Sequence, residues 1–177
     1  MHAPTLTTPN LTLRELDPES AADVAFLLEL VNDPGFREHI AELGITTSEG
    51  AIDYMNRACV HFYREHGFGM YGVERRDTGA LIGIMGLLAR PVLPAPDLGF
   101  AFLAGHTGRG FATEAAEAAL ADCLERLGIE QVLAVTSESN AASIALLTKL
   151  GFHRGGPVRL DPKGAEALLF SRTQRAQ

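Results

Sequence analysis

The sequence predicts an α/β (α+β) fold in which a mixed, mostly antiparallel sheet is flanked by helices. Three observations carry that expectation. Short runs with period-two alternation, or rich in apolar strand formers, recur along the chain, and amphipathic runs at helical spacing separate them. A strand, a glycine loop, a helix and a further strand follow one another from 97 to 137, the form of a single parallel crossover. With 177 residues and 46% hydrophobic side chains there is enough apolar material for one sizeable core, so one domain over 1–177 is expected, its core about 10–173.

The elements follow in order. LTLREL, 11 to 16, alternates apolar and polar side chains and reads as the first strand. Asp17 or Ser20 caps a helix over 19–32, with Leu27, Leu30 and Val31 at helical spacing, and Asp33-Pro34-Gly35 ends it. A second helix over 48–65 carries Ala51, Tyr54, Met55, Ala58, Phe62 and Tyr63 and stops near Gly67. Two strands joined at Arg76-Asp77-Thr78-Gly79 make a hairpin. The connector PVLPAP leads to a strand over 97–103 and the glycine loop. A helix over 110–127 has Ala116, Ala119, Leu120, Cys123, Leu124 and Leu127 as its apolar stripe, and it closes at Gly128. A strand over 131–137, a helix over 140–150 ended by Gly151, and an antiparallel pair, FHRGGPVRL with EALLFSR, complete the chain.

A formal net charge of −7 argues against a nucleic-acid surface, which draws on clustered Lys and Arg. No basic segment leads into an apolar run and no apolar stretch approaches the ~18 residues of a membrane span, so a cytoplasmic protein without membrane partners is expected. Cys59 and Cys123 lie far apart in helical sequence and read as small buried hydrophobes. His39, His61, His66, His106 and His153 have no metal-ligand spacing, and no metal site is expected.

The stretch HTGRGFATEAAEAAL, 106 to 120, passes straight from a glycine loop into a strong helix. The first turn of a helix has N–H groups without partners and a partial positive charge, which suit an anion. Gly108 and Gly110 permit positive φ and remove side chains that would hold a diphosphate off the backbone. By themselves such glycines serve a tight turn equally well. A P-loop requires Lys-Ser or Lys-Thr after its glycines, and neither is present. The dinucleotide fingerprint comes closer, with Glu130 about 20 residues on. Thr113 occupies its third small position, however, and too little chain follows residue 97 for a doubly wound sheet.

HTGRGFATEA, followed by SNAASIALLTKLGF, resembles the GCN5-related N-acetyltransferase (GNAT) superfamily, in particular the branch like the ribosomal-protein-alanine N-acetyltransferases. Gly108 and Gly110 match the first motif, [QR]-x-x-G-x-[GA], which Gly105 departs from. Asn140, Ser143, Leu147, Lys149, Leu150, Gly151 and Phe152 match the second, N-x-x-S-x-x-x-L-x-K-L-G-F. LTLREL, NDPGFREHI and DLGFAFL are similar to the corresponding family stretches, so the resemblance covers nearly the whole chain.

The resemblance implies a V-splayed sheet and acetyl-CoA as acyl donor. Its diphosphate would lie on the N–H groups of Gly108, Arg109, Gly110, Phe111, Ala112 and Thr113, with Arg109 adding charge. Its pantetheine arm would pair with the strand ending at Phe102, Leu103 and Ala104, and a backbone N–H near Leu103 would serve as oxyanion donor. Ser143 would stabilise or protonate the leaving thiolate, and Asn140 would touch the coenzyme or cap its helix. Leu147 stands where other branches place a tyrosine acid. Asp97 would be a base acting through water, with Glu138 as alternative. The acceptor would be a primary amine, of a small molecule or a protein N-terminus, attacking directly in a ternary complex. A homodimer is compatible with the family. A non-catalytic acyl-CoA sensor or assembly module is the alternative, with an NAD-binding domain behind it.

Overall fold

The computed structural model describes residues 3–174, and among these one eight-stranded sheet forms the frame. Its strands are β1 (Leu6–Thr7), β2 (Leu11–Arg14), β3 (Met70–Arg75), β4 (Leu81–Leu88), β5 (Asp97–Phe102), β6 (Gln131–Thr136), β7 (His153–Val158) and β8 (Ala167–Thr173). They lie in the order β1-β2-β3-β4-β5-β6-β8-β7, and every neighbouring pair is antiparallel except β5 with β6. The helices are α1 (Ala21–Asn32), α2 (Pro34–His39), α3 (Ser48–Met55), α4 (His61–His66), α5 (Phe111–Leu127) and α6 (Ala141–Lys149). This is the mixed, mostly antiparallel sheet with flanking helices that the sequence predicts.

Local chemistry sets the boundaries. The Ser20 hydroxyl caps α1 by accepting the Asp23 N–H at 3.3 Å. Asp33 breaks α1 as expected, yet with Pro34 at the first helical position it starts α2 rather than a loop, its Oδ1 accepting the Gly35 N–H at 2.9 Å. Thr47 caps α3, and the helical backbone continues into α4 through a π turn at Asn56–Val60. That wider turn is absent from the expected helix over 48–65. Gly67, at φ 73°, ends α4 in the left-handed conformation. Two departures concern strands. β1 precedes the expected first strand, and β8 returns between β6 and β7, where it buries Phe170.

Alternation along the central strands divides the core between the two sheet faces. Tyr71, Val73, Met85, Leu87 and Leu98 meet the small stripe of α5, Ala115, Ala116, Ala119 and Cys123, together with Leu147 of α6. Met70, Ile84 and Ala101 meet Leu27 and Leu30 of α1 and Ala51 and Met55 of α3. Asp97 shares its parity with Ala101 and so belongs to the α1–α3 face. Arg14 ties β2 to α1 and to β3, with Asp23 Oδ2 at 2.7 Å and Glu74 Oε2 at 2.9 Å.

Gly86 of β4 is crossed by the main chain entering β3, where a β-carbon would overlap the Gly69 carbonyl oxygen. Backbone on both sides leaves nothing flexible to yield. Gly86→Ala should therefore lower unfolding free energy in urea by at least about 3 kcal/mol. Gly79→Ala, in the open hairpin turn at φ 71°, should cost only about 1 kcal/mol of left-handed strain.

Candidate active site

The parallel pair is where the sheet opens. β5 and β6 share one bridging pair, Asp97 with Leu133, at which the Leu133 N–H donates to Pro96 O at 2.9 Å; beyond it no residues are paired between these strands. Leu103 N–H donates to Ile82 O at 3.0 Å, and β4 and β5 stay in continuous register from that end. Antiparallel alternation then turns Ala101 and Gly99 toward β4, and the main-chain groups of Phe100 and Phe102 toward β6. On the other wall, Leu133 faces β5, so Val135 two residues on does as well. A seam lined on both sides by backbone donors and acceptors results. The Leu103 amide itself is spent within the sheet, and the amides near it that face the seam are those of Phe100 and Phe102. Ala104 N–H is likewise taken, by Asp33 Oδ2 at 3.2 Å.

The glycine loop lies at the carboxyl end of β5. A 3₁₀ turn at Ala104–His106 opens it, and Ala104 O accepts both the N–H and the hydroxyl of Thr107, at 3.4 and 3.0 Å. Gly108 and Gly110 have φ of 72° and 84°, and a β-carbon at either would meet nothing within 4 Å. Backbone conformation, rather than packing, is what requires glycine here. α5 then starts at Phe111, with its first bond from Glu114 N–H to Gly110 O at 3.1 Å. Among the described residues no protein acceptor takes an N–H from 108 to 113. Six amides at the positive end of a 17-residue helix remain for an anion. Arg109 stands exposed beside them. Glu114 is turned to the β1–β2 corner, accepting from Thr8 Oγ1, from Asn10 N–H at 2.8 Å and from Asn10 Nδ2 at 3.0 Å. Partial burial raises its pKa, but those hydrogen bonds prevail and hold it below the usual range.

Asp97 begins β5 with only 1% of its side chain exposed. Oδ2 meets Arg90 Nε at 3.2 Å, and Oδ1 is buried without a partner. Burial pushes the carboxyl up to about 6, against the opposing pull of the Arg90 guanidinium and of its own backbone N–H. Asp97 thus starts its strand buried rather than facing solvent. Arg90 was not singled out in the sequence; its one signal is a cation between the end of β4 and the Pro-rich connector. The same guanidinium acts on Tyr54 of α3, whose phenol burial pushes up to about 12. Glu138 is 80% exposed and pairs with Arg154 at 3.0 Å, so it is a surface ion pair and not a base beside the seam.

α6 follows the far end of β6. Asn140 is its N-cap, Oδ1 accepting the Ser143 N–H at 3.0 Å. Ser143 is buried to 7% exposure, and its hydroxyl has no hydrogen-bond partner among the described residues. Leu147, one turn on, is fully buried in the α5 face. Asp97 and Ser143 thus come from opposite faces of the sheet.

An open parallel seam with a glycine turn of free amides at its end is an architecture suited to acyl transfer. Residues 10–153 match the family model described as an acetyltransferase (GNAT) domain. The chain is 31% identical over 158 residues to an uncharacterised N-acetyltransferase, YoaA, of Bacillus subtilis, covering 88% of this chain and 86% of that one. An acetyltransferase from Agrobacterium tumefaciens superimposes with a TM-score of 0.80 at 26% identity, covering 98% of this chain and 96% of that one. RimL, a ribosomal L7/L12 α-N-protein acetyltransferase solved in complex with coenzyme A, shares the fold at a TM-score of 0.81 and 17% identity, covering 97% of this chain and 98% of its own. The chain belongs to the GNAT acetyltransferase family and is an acyltransferase. No helix among the described residues is long and apolar enough to cross a membrane.

Asp97 has a signature in stability. Its folded pKa of about 6 lies above the ordinary 3.8, so the folded state binds the proton more tightly and the carboxyl destabilises the fold increasingly as pH rises through that window. Asp97→Asn removes the titration. The stability of this variant relative to the parent should increase by about 2.5 kcal/mol between pH 4 and pH 8, as read by urea unfolding. A difference that does not change with pH would contradict the buried, ionising carboxyl.

Proposed function

We propose that this protein transfers the acetyl group of acetyl-CoA to a primary amine, by direct attack in a ternary complex. The observation that carries this reading is the seam together with the glycine turn at its open end. The amides of 108–113 suit a diphosphate, with Arg109 adding positive charge, and the unpaired main-chain groups of Phe102 and Val135 suit the amides of a pantetheine arm as an added strand would. RimL, a protein of the same fold, was solved in complex with coenzyme A, which supports the assignment. Asn140 contributes by capping α6, its Oδ1 holding the Ser143 N–H.

The chemistry follows from the two faces. The neutral amine enters from the α1–α3 side and attacks the thioester carbonyl; a C–N bond forms and the C–S bond breaks. The amides of Phe100 and Phe102 face the seam and receive the charge developing on the carbonyl oxygen. Asp97, ionised above pH about 6, takes the proton released by the ammonium, directly or through water. Ser143 donates a hydrogen bond to the departing thiolate, which takes its proton from water. An α-amino group, with a pKa of about 8, is partly neutral at physiological pH and demands less of Asp97 than a lysine near ~10.4. That favours a protein N-terminus or a weakly basic small-molecule amine, and the chain's negative charge favours a cationic acceptor. Cys59 and Cys123 are buried free thiols, which supports a reducing, cytoplasmic setting.

Calorimetry with acetyl-CoA, followed by thiol release across amines and N-terminal peptides, tests the reading. The parent chain should bind. Gly110→Glu, which sets a carboxylate in the anion site, should abolish binding with the helical circular dichroism retained. NAD binding without coenzyme A binding would reverse the conclusion.

Ser143→Ala should leave coenzyme affinity within about twofold and lower kcat by about tenfold or more. The pH profile of kcat/KM should contain a limb near pH 6 that disappears in Asp97→Asn. Persistence of that limb in the variant would remove Asp97 from the proton path.

A further inference from the structure

Asp33 divides its carboxylate between two distant parts of the chain. Oδ1 accepts the Gly35 N–H at 2.9 Å and starts α2; Oδ2 accepts the Ala104 N–H at 3.2 Å, 71 residues along the chain. Ala104 is the hinge pin of the glycine turn, since its carbonyl holds both Thr107 N–H and Thr107 Oγ1, immediately before Gly108. Ala104 and Gly105 are exposed, so apolar packing contributes little to fixing that turn. Hydrogen bonds must do so.

The other end of the link is stiff. Asn32 Nδ2 donates to Leu28 O and to Ile45 O, each at 2.8 Å, while Asn32 Oδ1 accepts from Arg37 Nη2 at 2.7 Å. The end of α1, the start of α2 and the approach to α3 are therefore held together at residues 32 and 33. Phe36 of α2 is buried on the same side, against the cluster that contains Ala101 of β5. A displacement of the elbow has one polar route to the glycine turn, through a single carboxylate.

We propose that Asp33 is a positioning residue that couples the α1–α2 elbow to the coenzyme turn. It sets Ala104, and through Ala104 the amides of 108–113, in the geometry that receives the diphosphate. Coenzyme binding, in return, steadies α2 on the side from which the amine approaches. The coupling rests on the coenzyme reading given above. By linkage it acts in both directions, so an acceptor that orders α2 tightens coenzyme binding by the same factor.

Two substitutions separate the link from the cap. In Asp33→Asn the amide oxygen can keep the Gly35 N–H, which places the amide nitrogen against the Ala104 N–H, donor facing donor. Asp33→Ser also caps a helix well but is too short to span both partners. Both variants should keep the apo melting temperature within about 3 °C of the parent. Both should bind coenzyme A about tenfold more weakly by calorimetry. Coenzyme A should slow amide hydrogen exchange in α2 of the parent, and this protection should be lost in the variants. Parent-like affinity with α2 protection intact would overturn the coupling while leaving the coenzyme site standing. A large loss of apo stability in both variants would overturn it too, by making Asp33 a purely structural cap. A parent chain that does not bind coenzyme A would remove the coenzyme reading itself, and the coupling with it.

Discussion

The divergence of β5 from β6 is the constraint on which the rest of the structure depends. β5 is committed along its other edge to β4, through six paired residues from Asp97 to Phe102, and β6 is committed to β8, through six from Gln131 to Thr136. Each strand is therefore held by the half of the sheet behind it, and neither half can turn to close the seam without breaking a ladder. Only Asp97 and Leu133 remain paired across it. Unpaired backbone groups in a sheet interior need either water or a ligand that imitates a strand. The fold thus maintains a vacant strand position in its middle, and the glycine turn lies where an occupant of that position would leave the sheet.

Strand alternation converts this gap into a two-sided site. Because side chains on β5 alternate, Asp97 projects to the α1–α3 face while Leu98, Phe100 and Phe102 pack toward α5. α5 and α6 cover the second face, and Ser143 comes from there. A carboxyl on one face and a hydroxyl on the other stay apart without any special device. Asp97 would otherwise be an expensive residue to bury, since a desolvated carboxylate with one unpaired oxygen is costly. Arg90 offsets part of that cost, and because Arg90 is itself one-third exposed it remains hydrated while doing so.

Most of the frame could be read from the residues, because its signals are local. The hairpin turn, the caps at Ser20 and Thr47 and the left-handed glycines 67, 108, 110 and 128 are each dictated by the chemistry of a few neighbouring residues. The small stripe of α5 follows from its spacing. What could not be read depends on partners distant in sequence. Ala167–Thr173 enters between β6 and β7, a position that the pairing of the last two strands alone leaves undetermined. The π turn at Asn56–Val60 has no spacing signal, since Met55, Cys59 and Tyr63 keep a stride that an α-helix would also give. At the site, Gly108 and Gly110 were legible because positive φ is a property of one residue. The burial of Asp97 was not, because it comes from α3, the connector at Arg90 and the neighbouring strands. Which amide near Leu103 faces the seam was not legible for a similar reason: its direction is fixed by parity, and parity is fixed by the register with β4.

Asp33 shows how a local signal can be right about structure and silent about role. Asp-Pro-Gly after a helix reads as a stop, and it is one: the backbone leaves the helix at ψ 136°. The same three residues also satisfy the rules for a helix start, with a capping carboxylate followed by proline. Such a cap needs only one acceptor oxygen, and an aspartate has two. The second oxygen is free to bind at long range, and here it reaches the first N–H beyond β5 and Leu103 that the sheet does not use. A serine or asparagine cap would end and restart the helices equally well but could not serve both partners. The identity of residue 33 is therefore set by the turn at Ala104 rather than by the helices it separates.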